Sequence, residues 1–285
     1  MSQLVLHPST QLQLNAFKQA PSHALILIGP NGVGKMSVAE QLGAELLELR
    51  GKNVADHPYS LIIRPDEKNT ISIEAVRQLE QVLKLKVPST KELNRLVIIE
   101  NSHNLGVEAQ NALLKTLEEP PKGTVLILTA AHAQSLLPTI LSRGQQITIK
   151  RPANSDLVTY FSDQGHSDAD IKQTLAMSGG LPGLAHALLT GKDHPLRLAV
   201  VKAREILAQS QYERLLQVDE LSKQRQTCLD IMFILQQMAH ISLQSAGGAA
   251  AKRWQTIMAS SYDASVALQA SAQPKLVLDD FMLKI

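Results

Sequence analysis

The stretch Leu25–Ser37, with the sequence LILIGPNGVGKMS, decides the fold of this chain. Its first four residues are apolar and run directly into Gly29 and Pro30, which is typical of a buried parallel strand that ends in a turn. Apolar residues then recur at helical spacing from Ser37 to Leu49. The stretch is therefore predicted to form a strand, a glycine-rich turn and a helix, which is the arrangement that a phosphate-binding loop needs.

The glycine-rich turn fits the phosphate-loop pattern G-x-x-x-x-G-K from Gly29 to Lys35. Glycines let backbone N–H groups point inward, the next helix adds the positive end of its dipole, and Lys35 adds a point charge for the outer phosphates. The last position departs from the pattern, because Met36 stands where Ser or Thr would hold magnesium. A corner that serves packing alone is the alternative interpretation. The candidate nucleotide-binding residues, with one carboxylate from a later strand end, are Gly29, Pro30, Asn31, Gly32, Val33, Gly34, Lys35, Met36, Ser37 and Glu100.

Composition narrows the class of protein. The 285 residues carry a net charge of only +2, and aromatic residues make up 3%, which argues against a stacking platform for single-stranded nucleic acid. The single cysteine, Cys228, excludes an intramolecular disulfide and a multi-cysteine zinc site, and its apolar neighbours predict a buried thiol. We see neither a signal peptide nor an apolar run of the roughly 20 residues that cross a bilayer, so we expect a soluble, cytoplasmic protein without a membrane partner.

Predicted strands and helices alternate along residues 1–150. Short apolar runs at Tyr59–Ile63, Leu96–Ile99, Thr124–Thr129 and Gln146–Ile149 alternate with helical patterns, which predicts an α/β fold with a parallel sheet covered on both faces. Strand signals disappear after Lys150, and the remainder is predicted to be helical. Within the last part, breaks are expected at Gly247-Gly248 and at Pro274.

Several motifs together resemble the bacterial clamp-loader AAA+ subunits of DNA polymerase III, in particular their delta-prime branch. The phosphate loop is similar to the family's Walker A loop. The other motifs that carry the resemblance are His57-Pro58, Ile71-Ser72-Ile73, Val76-Arg77-Gln78-Leu79, Asn111–Pro121 (NALLKTLEEPP), Leu136–Arg143 (LLPTILSR) and Gln273–Leu278 (QPKLVL). The resemblance implies an AAA+ nucleotide-binding core at 1–150, a helical lid at 151–192 and a helical collar for oligomerisation at 193–285.

The chain also departs from the family's pattern at metal-binding and motif positions. The family often carries a four-cysteine zinc module after the Walker A helix, but Glu45–Asp56 contains no cysteine, so no zinc is expected. The cysteine of the family's Ser-Arg-Cys motif is replaced by Gly144. His57, His103 and His132 are far apart in sequence and lack a ligand pattern, so we expect them to be surface or core residues rather than metal ligands.

The residues at the implied catalytic positions predict a subunit that does not hydrolyse ATP. Met36 is a poor ligand for a hard cation, Glu100 replaces the Walker B Asp, and Asn101 replaces the acid that would accept a proton from water. Uncharged residues stand where the two family sensors are expected: Ala130, Ala131, Gly183 and Leu184. Magnesium is accordingly expected to bind weakly or not at all. Whether ATP or ADP binds without turnover stays open at this point.

Arg143 is the candidate catalytic residue, because the resemblance implies an arginine finger that acts in trans on a neighbour's nucleotide. A solvated or salt-bridged arginine at a helix end is the alternative. The implied partners are a gamma/tau-like ATPase, a delta-like subunit and, through the complex, the sliding clamp and primer-template DNA. Two other functions compete with this inactive subunit: an active gamma/tau-like motor subunit, and an independent P-loop protein such as a helicase loader or recombination factor.

Overall fold

The computed structural model describes residues 4–49, 51–66, 69–85, 87, 93–190, 195–270 and 272–285. The chain divides into two compact units, Met1–Ala153 and Asn154–Ile285, and each is described by itself. The first unit contains the sheet, and the second is built from helices. Within the described ranges, no helix is both long enough and apolar enough to span a membrane.

The first unit is organised around one parallel sheet. Its strands stand in the spatial order β2-β3-β4-β1-β5, and every neighbouring pair is parallel. Their bounds are β1 Ala24–Ile28, β2 Ser60–Ile63, β3 Arg95–Ile99, β4 Thr124–Ala130 and β5 Gln145–Thr148. All residues of β3 and β4 are buried, as expected for a sheet with helices on both faces. The structure therefore confirms the predicted α/β fold with a parallel sheet.

Five helices occur among the described residues of this unit, and their bounds are α1 Pro8–Gln19, α2 Lys35–Leu46, α3 Ile73–Lys84, α4 Val107–Glu118 and α5 Pro138–Leu141. Ser72 caps α3, because its hydroxyl accepts a hydrogen bond from the backbone N–H of Ala75 at 3.2 Å. Helix α2 packs closely on β3 through Gly43, where an added Cβ would overlap the side chain of Leu96. That close packing fixes the direction in which α2 leaves the phosphate loop.

Helix α2 differs from its predicted range of Ser37–Leu49. It begins two residues earlier because Gly34, at φ 92°, serves as the N-cap and lets Lys35 start the first turn. It ends after Leu46 because Glu48 adopts the left-handed conformation at φ 55°, and the N–H of Leu49 then donates to the carbonyl of Ala44 at 2.9 Å. A left-handed residue that is not glycine gives little signal in the sequence.

The second unit contains nine helices within its described residues. Their bounds are α6 Asn154–Asp163, α7 Asp168–Ser178, α8 Pro182–Thr190, α9 Pro195–Ala208, α10 Gln211–Leu216, α11 Val218–Leu221, α12 Arg225–Leu243, α13 Gly248–Gln269 and α14 Pro274–Lys284. The predicted breaks at Gly247-Gly248 and Pro274 are confirmed, and Cys228 is buried as expected. Helix α12 contacts α7, α9, α13 and α14. The division of this unit into lid and collar stays a prediction.

Candidate functional site

The predicted phosphate loop lies at the carboxyl end of strand β1, which stands between β4 and β5 in the sheet. The N–H of Gly29 donates to the carbonyl of Ala130 at the end of β4, at 3.1 Å. A Cβ at Gly29 would lie 3.0 Å from the carbonyl oxygen of Ile149, so the loop passes too close to that backbone for a larger residue. Gly32 and Gly34 have φ values of 78° and 92°, which glycine adopts without steric cost. The glycines are therefore required by the shape of this loop.

Lys35 is buried beneath the loop, with 7% of its surface exposed. Its Nζ donates to the carbonyl of Gly29 at 2.7 Å and to the carbonyl of Pro30 at 3.1 Å. Burial lowers the pKa of Lys35 to about 8, while the negative charge of Glu100 partly opposes that change. An ammonium group has three protons, so one donor is left for a ligand.

Glu100, the predicted Walker B carboxylate, is paired with an arginine. Parallel strands β2 and β3 align Ile63 with Ile99, so the residues that follow them, Arg64 and Glu100, are neighbours. The Nε of Arg64 donates to Oε2 of Glu100 at 3.1 Å, and its terminal nitrogen lies 3.7 Å from Oε1 of Glu40 on α2. The pKa of Glu40 is raised by burial and by repulsion from Glu100, with Arg64 opposing both. Sequence reasoning missed Arg64 and Glu40.

Asn101 stands at the end of β3 in a left-handed conformation, with φ 50° and ψ 52°. Asparagine is one of the few non-glycine residues that adopt this conformation readily. Its backbone N–H donates to Oγ1 of the buried Thr129 at 2.8 Å, which joins the ends of β3 and β4. The backbone here suits the amide residue that is present, and the amide has no basic group for activating water.

His103 interacts electrostatically with both Lys35 and His132, although the sequence separates these residues widely. The pKa of His103 falls to about 4 because of burial, with smaller contributions from Lys35 and His132. Its Nδ1 is buried and, in the part of the chain that the structure describes, has no hydrogen-bond partner. His103 is therefore neutral near pH 7 and places an uncharged polar side chain near the lysine. No group of three or more His, Cys, Asp or Glu suited to a metal occurs among the described residues.

The residues at this site do not fit the magnesium ion of an active AAA+ ATPase. Met36 supplies a thioether where a hydroxyl is needed, and magnesium prefers hard oxygen ligands in octahedral geometry. The carboxylate of Glu100 already accepts from the guanidinium of Arg64. At the two implied ligand positions, magnesium would therefore meet a carboxylate that is already paired with Arg64 and the soft sulfur of Met36.

Arg143 follows α5 and lies against α4. One terminal nitrogen contacts Oε1 of Glu118 at 2.5 Å, and the other donates to the carbonyl of Thr139 at 2.8 Å. The side chains of Arg143 and Glu118 are 32% and 50% exposed. Among the described residues, no contact joins Arg143 to the phosphate loop at 29–37, so the structure does not bring the two predicted sites of this chain together.

The departure at Gly144 has a local explanation. A Cβ at this position would lie 2.9 Å from both Cγ1 and Cδ1 of Ile26, a core residue of β1 that is 1% exposed. A cysteine at this position, as in the family motif, would therefore require the side chain of Ile26 to shift.

Comparison with known proteins agrees with this fold and identifies the family of the chain. The family described as "DNA polymerase III, delta subunit" matches residues 7–153. The DNA polymerase III subunit delta' of Pseudomonas aeruginosa is 33% identical over 186 residues, covering 59% of this chain and 56% of that protein. The delta' subunit of Escherichia coli is 31% identical over 179 residues, covering 62% of this chain and 49% of that protein. The chain thus spans about half the length of these curated relatives.

A solved structure shares the fold over nearly the whole chain. The crystal structure of a DNA polymerase III gamma subunit-related protein from Thermotoga maritima superposes with a TM-score of 0.54 at 19% identity, covering 95% of this chain and 97% of that one. The family match, which includes the phosphate loop, Glu100 and Arg143, extends over more than half of the chain. The chain therefore belongs to the DNA polymerase III delta subunit family, with delta' subunits among its relatives, as the sequence motifs predicted.

Proposed function

We propose that this chain is a delta-prime-like clamp-loader subunit for DNA replication, which does not hydrolyse ATP and supplies Arg143 to a neighbouring ATPase subunit. The observation that carries the proposal is the state of the catalytic end of the sheet. Met36 offers no hydroxyl, Glu100 is paired with Arg64, and Asn101 places an amide where a base is needed. Loss of a general base alone typically costs about 10² to 10⁴ in rate.

Nucleotide binding without turnover is part of this proposal. The backbone loop, the amino end of α2 and the third proton of Lys35 are all compatible with the phosphates of ATP or ADP. His103 carries no charge near pH 7, so the positive charge available to a phosphate here comes from Lys35 and Arg64. In this role the bound nucleotide would stabilise the folded subunit and would not power a conformational change by hydrolysis.

The arginine finger is supported by the weakness of the contact that now holds Arg143. Its ion pair with Glu118 is partly solvated, and pairs of this kind contribute only about 0–1 kcal/mol. Breaking such a weak pair would cost little when Arg143 moves to a neighbour's γ-phosphate, where an arginine finger supplied in trans contributes about 10³ to 10⁵ in rate. The proposed partners are a gamma/tau-like ATPase and a delta-like subunit, with the clamp and primer-template DNA reached through the complex in the cytoplasm.

The test measures ATP hydrolysis by this chain alone and by a candidate ATPase subunit mixed with it. We expect no turnover by the isolated chain and stimulation of the partner by the wild type. Arg143→Ala should remove the stimulation, whereas Arg77→Ala, an exposed arginine on α3, should leave it intact. Glu118→Gln should also retain it, because the finger remains and only its resting partner is lost.

Two results would overturn this proposal. Turnover by the isolated wild type at the rate of the partner would favour the active motor subunit. Stimulation that survives Arg143→Ala, in a mixture in which complex formation is verified by gel filtration, would remove the arginine finger.

A further inference from the structure

We infer that Arg64 takes the place of magnesium at Glu100, so that a nucleoside phosphate binds at this loop without a divalent metal. The first half of the inference stands on contacts within the chain. The second half rests on the nucleotide binding proposed above.

The geometry places Arg64 at Glu100, the carboxylate that stands at the implied Walker B position. Because Ile63 and Ile99 are paired in register, Arg64 leaves the sheet edge beside Glu100, and its Nε donates to Oε2 at 3.1 Å. The same guanidinium lies 3.7 Å from Glu40 on the first helix after the loop. One cation therefore bridges a carboxylate at the end of β3 and a carboxylate on α2.

The charges of the site balance without a metal. Lys35 and Arg64 contribute two positive charges, and Glu40 and Glu100 contribute two negative charges, so these four groups sum to zero. In an active site of this type, magnesium would add two positive charges at the same carboxylate. Here a divalent ion would have to displace Arg64 from Glu100 and would then lie beside a guanidinium of like charge. The thioether of Met36 offers nothing to offset that cost.

Neutralising Glu100 also matters for an anionic ligand. Glu100 interacts electrostatically with Lys35, so its charge acts on the same space in which the loop would hold a phosphate. Without Arg64, the carboxylate would repel the ligand unless another cation covered it. The ligand class is a nucleoside diphosphate or triphosphate in its metal-free form.

The first experiment tests metal exclusion without any nucleotide. Mn²⁺ is titrated into the full chain while paramagnetic broadening of the backbone amide resonances of Gly29, residues 31–37 and Glu100 is followed. We expect no selective broadening in the wild type or in the control Arg77→Gln, and selective broadening in Arg64→Gln, where two carboxylates lose their cation. Arg64 is 57% exposed, so this substitution should not disturb folding. Equal broadening in wild type and Arg64→Gln, or none in either, overturns the assignment.

The second experiment measures the affinity for fluorescently labelled ADP in excess EDTA and in excess MgCl₂. The wild type should bind equally well, within about twofold, in both buffers. Arg64→Gln should bind about three- to tenfold more weakly in EDTA, since Glu100 is then uncovered, and should recover in MgCl₂. The double variant Arg64→Gln with Glu100→Gln should regain its affinity for ADP in EDTA, because the charges of both Arg64 and Glu100 are then removed.

The two possible failures are distinguishable. Wild-type binding that requires MgCl₂ overturns the inference and leaves the proposed nucleotide binding in place. If ADP binds in neither buffer, both the proposed nucleotide binding and the inferred binding of a metal-free nucleotide are overturned. The manganese titration still decides whether Arg64 takes the place of the metal.

Discussion

At the scale of single residues, the fold of the loop changes the pKa of Lys35. It is buried, and its ammonium is held by the carbonyls of Gly29 and Pro30. Its pKa of about 8 means that a measurable fraction is neutral in mildly alkaline solution. A phosphate favours the charged form and so raises this pKa again.

We therefore predict that phosphate ligands bind with proton uptake. At pH 8.5 binding of ADP should take up roughly three quarters of a proton, and its affinity should fall as the pH rises above 8, because free Lys35 then loses the proton that the complex needs. Calorimetry in two buffers with different ionisation enthalpies measures this uptake. Lys35→Arg, which stays charged, is the matched control and should show no such uptake. Equal heats in both buffers for the wild type would contradict the prediction.

The sequence indicates the position of some residues of the candidate site but not of others, for a physical reason. Met36, Glu100 and Asn101 were readable because each stands at a fixed offset from a strand end or from the loop pattern. Arg64 has no comparable local signal, because its pairing with Glu100 depends on the register of two strands that are 36 positions apart along the chain. A rule that residues after adjacent parallel strands become neighbours would have found it. The approach of His103 to Lys35 has no comparable local signal.

At the scale of elements, Gln110 on α4 joins two loops of the first unit. Its buried side chain donates from Nε2 to the carbonyl of Leu105 at 3.0 Å and accepts at Oε1 from the N–H of Leu137 at 2.8 Å. Leu137 is the N-cap of α5, the helix that leads to Arg143. One amide thus fixes the start of the candidate finger's helix relative to α4.

We predict that Gln110→Leu destabilises the chain by about 2–4 kcal/mol, because a carbonyl and an N–H are both left without a partner. Urea unfolding followed by circular dichroism gives the change in the free energy of unfolding. The same substitution at the exposed Gln78 on α3 is the control and should change it by less than about 0.5 kcal/mol. Equal effects at the two positions would show that the two hydrogen bonds contribute nothing measurable.

Element types were predicted more successfully than element ends. The period of the apolar residues identified the five strands and the helical patterns that alternate with them. The end of α2 was placed three residues too late because Glu48, rather than a glycine, adopts the left-handed conformation that stops the helix. A residue type that is not typical of turns, such as Glu, gives no sequence signal for the end of a helix.

At the scale of the whole molecule, the chain consists of two units that each have a buried core. The first carries the sheet, the phosphate loop and Arg143, and the family match ends with it at residue 153. The second is entirely helical in its described residues, with α12 contacting four other helices of that unit. A perturbation on α12 therefore reports on the stability of the helical unit.

Asp230 on α12 provides such a perturbation. Burial raises the pKa of its carboxyl to about 6, although a hydrogen bond from Nε2 of Gln226 at 2.9 Å favours the charged form. Since the folded state binds this proton more tightly than the unfolded state does, the stability due to Asp230 is greatest below pH 4 and falls as the pH rises from 4 to 6. Above pH 6 the chain retains a constant deficit from the buried charge.

Asp230→Asn should remove that deficit while keeping the size and a hydrogen-bonding side chain. We predict a gain of about 1–2 kcal/mol at pH 7, reduced for the partial exposure of the carboxyl, and no difference from the wild type at pH 4. Amide hydrogen exchange read peptide by peptide checks both the size and the place of the effect. Protection should rise in α12 and in the helices α7, α9, α13 and α14 that contact it, with the strands of the sheet as the internal reference. A gain that is the same at pH 4 and pH 7 would exclude the carboxyl's charge as its cause, because an uncharged Asp and an Asn differ little in burial cost.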